Sequence, residues 1–82
     1  MPKYIEISPL PTGTTKAKVR EIFKPFITEN IYVRGSKAYL KFSDANDVDS
    51  LYMKYDDDSI PELQMAKIIA LPDDYDGSYL DE

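Results

Sequence analysis

Between Asn30 and Phe42 the sequence NIYVRGSKAYLKF alternates apolar and polar residues on both sides of a central Gly35-Ser36 pair. Ile31 and Val33 point one way, Tyr32 and Arg34 the other; Ala38, Leu40 and Phe42 alternate with Lys37, Tyr39 and Lys41. A period of two means strands with one buried and one wet face. Gly35 at the first central position suits a two-residue turn whose twist matches the strands. The pattern therefore predicts a hairpin with Tyr32 opposite Tyr39 and Arg34 opposite Lys37, because a one-residue slip would bury the cations. Its wet face would carry two tyrosines ringed by Arg34, Lys37 and Lys41. Bases or acidic peptides could use such a surface, and so could nothing at all, since tyrosine favours strands for its own sake.

The rest of the chain supplies the elements this hairpin needs. Lys3–Leu10 alternates Ile5 and Ile7 inward with Tyr4, Glu6 and Ser8 outward, and stops at Pro9 and Pro11. Thr14 or Thr15 can cap a helix whose Val19, Ile22, Phe23 and Phe26 form one apolar stripe, with Lys16, Lys18, Arg20 and Lys24 on the other side. Pro25 should end it at Lys24. Ser43 or Asp44 can cap a second helix with the stripe Val48, Leu51, Tyr52 and Tyr55, finishing before the acidic run Asp56-Asp57-Asp58. Ala66–Leu71 reads as a last strand, with Ala66, Ile68 and Ala70 inward and Ile69 on the wet face or half covered by the tail. The order strand, helix, strand, strand, helix, strand predicts an α+β fold, a ferredoxin-like βαββαβ plait. Its four-stranded antiparallel sheet would run in the order 4-1-3-2, with two helices on one face and the other face open. Residues 1–72 would form the domain, and the acidic tail 73–82 would be loose, at least beyond Gly77, unless Tyr79-Leu80 folds back over Ile69.

Composition narrows the chemistry. The 82 residues contain no Cys and no His, which removes thiol nucleophiles, imidazole bases and soft-metal sites. With three glycines there is no phosphate-cradling loop, and Asp74-Tyr75-Asp76-Gly77 cannot be fitted to a calcium loop, whose twelfth position falls past Glu82. The expectation is a protein that is not an enzyme and uses no cofactor and no metal. No apolar run approaches a membrane span. The net charge of −5 divides unevenly: residues 1–42 hold eight cations and three acids, whereas residues 43–82 hold two cations and twelve acids. A basic surface can therefore exist on an acidic chain.

With these elements in place, the chain resembles the RNA-recognition motif over roughly Lys3 to Leu71. The resemblance rests on YIEISPLP for the first-strand motif, VREIFKPF for the first helix, and GSKAYLKFSDANDV for the third strand running into the second helix. It implies single-stranded RNA stacked on sheet-face aromatics. The family's three stacking positions fall on Lys37, Tyr39 and Glu6, so only Tyr39 keeps its ring. Pro9 stands where the family has Asn, Ile27 follows Phe26 where a Gly is usual, and the loop between the hairpin strands is a tight turn. The expected RNA-binding residues are Tyr39, Tyr32, Lys37, Lys41, Arg34 and Tyr4, giving weak binding. The alternative is a divergent recognition-motif fold that binds a protein partner. Either would be a monomeric, intracellular part of a larger protein, nuclear or cytoplasmic.

Overall fold

A computed structural model describes residues 3–81, without the side chains of Tyr79 and Asp81. The fold is α+β, with two helices and a five-stranded antiparallel sheet. Strand β1 (Lys3–Ser8) is followed by helix α1 (Lys16–Ile22), the hairpin β2 (Asn30–Arg34) and β3 (Lys37–Phe42), helix α2 (Ala45–Lys54), and strands β4 (Ser59–Ile60) and β5 (Ala66–Ala70). The sheet order is β2-β3-β1-β5-β4. The hairpin has the expected register, Tyr32 opposite Tyr39 and Arg34 opposite Lys37. β1 lies between β3 and β5, with Glu6 beside both Tyr39 and Ile69.

Local chemistry explains the boundaries. The Thr15 hydroxyl accepts the Lys18 N–H at 3.1 Å and opens α1; Asp44 Oδ1 accepts the Asn46 N–H at 2.9 Å and opens α2. α1 ends at Ile22 rather than Lys24, with Phe23 as its C-cap, and α2 ends with Tyr55 as its C-cap.

The sheet has five strands and not four. Asp58, at φ 59°, reverses the chain after the acidic run, and Ser59 and Ile60 then pair with Lys67 and Ala66. A 3-10 turn at Pro61–Leu63 and the left-handed Gln64 and Met65 close that hairpin. Two residues are too few to show a period, which is why β4 leaves no trace in the sequence pattern.

One face of the sheet holds the main core. Ile5, Ile7, Ile31, Ala38, Leu40, Phe42 and Ile68 pack there with Val19 and Phe23 from the α1 segment and Val48 and Leu51 from α2. Both helical stripes therefore cover the same sheet face, as right-handed crossovers would place them. Ala70, expected inward, is exposed at the end of β5.

β2 is an edge strand, and its side chains occupy two of its outward backbone groups. In a hairpin with a two-residue loop the flanking pair is hydrogen-bonded, so Ile31 and Val33 turn their backbone groups away from β3. The Ile31 N–H donates to Asn30 Oδ1 at 2.8 Å, and Arg34 Nη1 donates to the Val33 carbonyl at 3.1 Å.

Candidate interaction face on the sheet

The second sheet face carries the residues expected to meet RNA: Tyr4, Tyr32 and Tyr39 with Arg34, Lys37 and Lys41. They share one face, but that face is not open. Tyr4, Tyr32 and Tyr39 are only 3%, 7% and 5% exposed, and Leu80, at 1%, is buried among them. The expectation of a loose tail is corrected here: the chain leaves β5, turns at Pro72 and lays residues 75–81 against the three tyrosines. The physical reason is apolar area. Three rings on a bare sheet face and a leucine and tyrosine in an acidic tail bury one another.

The contacts are specific. The Tyr4 hydroxyl donates to the Asp76 carbonyl at 3.0 Å, and the Tyr75 ring meets Tyr4 edge-on with centroids 5.0 Å apart. Gly77, at φ +65°, rests on the Tyr4 ring; a Cβ added there would lie 2.7 Å from ring carbons. The Asp76 carboxylate accepts the Ser78 N–H at 3.0 Å, and the Leu80 N–H donates to the Gly77 carbonyl at 2.9 Å. These two bonds shape the 3-10 turn Ser78–Asp81. Arg34 Nη2 donates to the Leu80 carbonyl. At the start of the tail, Lys3 Nζ donates to the Leu71 carbonyl at 3.1 Å and pairs with Asp73 at 2.6 Å.

Every cation expected to meet phosphate is engaged. Lys37 pairs with Glu6 at 3.7 Å and Lys41 with Glu29 at 2.8 Å, while Arg34 is held by Leu80. Lys41 Nζ also lies 5.9 Å from the Tyr4 ring centroid. Glu6 accepts from the Ser8 hydroxyl at 3.0 Å and places a carboxylate in the middle strand of the face. The hydrogen bond from Lys41 holds the Glu29 carboxyl below its usual range. Lys3 does the same for Asp73, and the backbone N–H of Ser78 for Asp76.

The sequence reading found the tyrosines and cations and raised Leu80 only as an exception, folded back over Ile69; it missed Leu71, Tyr75, Asp76 and Gly77. A signal was present: Tyr75, Tyr79 and Leu80 are large residues in a tail otherwise made of acids and small residues. The tail does not cover Ile69, which stays 41% exposed beside Glu6.

Elsewhere, an open cleft of about 400 Å³ is lined by Pro11, Thr14, Lys18, Glu62 and Gln64. Another, of about 260 Å³, is lined by Arg20, Lys24, Phe26, Thr28 and Asn30. Among the described residues no group of three or more Asp and Glu could hold a metal ion, and no helix is long and apolar enough to cross a membrane. No family model, curated protein or solved structure matches this chain.

Proposed function

We propose that this chain is a divergent recognition-motif plait that works as a protein-interaction module through its tyrosine face. In this reading β1, β2, β3 and β5 are the four strands of a ferredoxin-like sheet, and β4 is an addition at its edge. One observation carries the functional part: the face already holds a peptide, the chain's own residues 75–81, with Leu80 buried among Tyr4, Tyr32 and Tyr39. The electrostatics support the same reading. Lys37 and Lys41 face carboxylates, and Glu6 would repel a phosphate in the middle of the platform.

Single-stranded RNA is the second reading. What favours it is the placement of three tyrosines, Arg34, Lys37 and Lys41 on one face, the combination that stacks bases and tracks a backbone. RNA would have to displace both the tail and the resident carboxylates.

The two readings separate in one titration. ¹⁵N-labelled wild-type chain and its Leu80→Asp variant are titrated with short RNA pools and with acidic, leucine-containing peptides. The sheet amides of Leu80→Asp should respond to the peptides and not to RNA. An RNA response on the sheet that Tyr39→Ala removes would overturn the protein-interaction reading.

A further inference from the structure

Resting on that reading, we infer that the tyrosine face is a receptor for a short segment of pattern Asp-Gly-x-x-Leu supplied by a partner protein, with residues 76–80 as its built-in occupant. Each position of the pattern has its own contact. Leu80 fills the socket of Tyr4, Tyr32 and Tyr39. Gly77 is required twice, by its left-handed backbone and by the Tyr4 ring against it. The Asp76 carboxylate holds the turn through the Ser78 N–H, so the peptide brings its own conformation. Ser78 is exposed, so the position after the glycine is left free.

Two receptor groups read backbone only. The Tyr4 hydroxyl takes the Asp76 carbonyl, and Arg34 takes the Leu80 carbonyl, clamping both ends of the five-residue turn. Lys3, on Asp73, favours an acidic residue ahead of the pattern. The receptor thus combines a sequence-blind clamp, one apolar anchor and one position where only glycine fits.

The occupant is separate from the main core. Among the described residues, the core cluster that joins both helices to the sheet contains none beyond Ile68, and the sheet lies between it and the tyrosine cluster. Exposed Ile69 lies on the face just outside the tail's cover, where a longer partner segment has apolar area to gain. That extra area matters because a tethered occupant competes at a high effective concentration.

The test uses the full chain. Gly77→Val should expel the tail, and a peptide with the sequence of residues 72–82 is then titrated by fluorescence anisotropy. Binding to Gly77→Val should be saturable and at least about tenfold tighter than to wild type, where the tail competes. A peptide carrying the Leu80→Ala change, or one carrying Gly77→Val, should bind at least about tenfold more weakly, the worth of a buried leucine. If a scrambled peptide binds equally well, the pattern is overturned while the protein-interaction reading stands. If no peptide binds and an oligouridine does, both fall. Leu80→Asp serves as a second released form. If both variants lose the sheet's circular dichroism, the tail is an integral layer of the fold, and the receptor proposal is overturned.

Discussion

Gly77 lies so close to the Tyr4 ring that a single added methyl group would sit 2.7 Å from its Cε2 and Cζ atoms. The same ring donates its hydroxyl to the neighbouring Asp76 carbonyl. One tyrosine of β1 therefore sets both the height and the direction at which the tail crosses the sheet.

Gly77→Ala and Gly35→Ala make a matched pair. Both glycines have positive φ, +65° and +60°, but a Cβ at Gly35 meets nothing within 4 Å. Gly35→Ala should cost about 1 kcal/mol, the strain of a left-handed alanine. Gly77→Ala should cost more, about 2 kcal/mol, because the ring must also move. Urea denaturation of both variants checks this, and equal losses would remove the Tyr4 contact from the account.

Leu80→Ala should lower stability by about 2 kcal/mol, at the mild end for a buried leucine, because the site lies near the surface and can partly collapse. Tyrosine fluorescence should change at the same time, since three of the seven tyrosines line the socket. A variant with wild-type melting and spectrum would mean that the tail does not dock.

Phe23→Ala should cost about 3–5 kcal/mol, comparable to the whole stability of so small a domain. Phe23 is 1% exposed in the core shared by both helices and the sheet. A variant that unfolds at the wild-type denaturant concentration would show the core to be wrongly assigned.

Acid should loosen the tail. Lys3 and the Ser78 backbone N–H hold the Asp73 and Asp76 carboxyls, respectively, below the ordinary value of 3.8. A carboxyl depressed on docking lends stability that is full above its undocked pKa and is lost as pH falls through the docked one. Tail amide shifts followed from about pH 6 to about pH 2 should therefore move toward the released form at the acid end of the series. Asp76→Asn should lose part of this dependence. Tail shifts that stay fixed while the carboxyls titrate would uncouple these contacts from docking.

Most of the fold is written in period. Ile5/Ile7, Ile31/Val33 and Ala38/Leu40/Phe42 each declare a strand face, and Val19/Phe23 and Val48/Leu51 declare the two helix stripes. Register followed from the same alternation, because Arg34 and Lys37 had to stay wet. β4 was not legible, since Ser59 and Ile60 are placed by the reversal at Asp58 and have no pattern of their own. The tail was misread because its charge was weighed above its three large side chains. Tyr75 and Leu80 are far apart in an acidic segment and show no period, yet together they meet a platform that the pattern had left bare. The candidate site was thus half visible. The tyrosines and cations could be placed by alternation, whereas their occupant was raised only as an exception, with Leu80 expected over Ile69 and found among Tyr4, Tyr32 and Tyr39.

The side-chain bonds along β2 bear on what happens when many copies of this chain meet. A free strand edge is a template on which another molecule can continue the sheet. Here Asn30 plugs the Ile31 N–H, and Arg34 plugs the Val33 carbonyl while its other nitrogen holds Leu80. One guanidinium is therefore both the latch of the tail and a stopper at the sheet's margin. Replacing it would release the tyrosines and open the edge in the same step, turning a self-contained molecule into one able to polymerise. Light scattering from Arg34→Ala at high concentration would reveal this, and a monodisperse variant would mean that the edge is guarded by other means. Arg34 thus ties the docking of the tail to the shielding of the β2 edge.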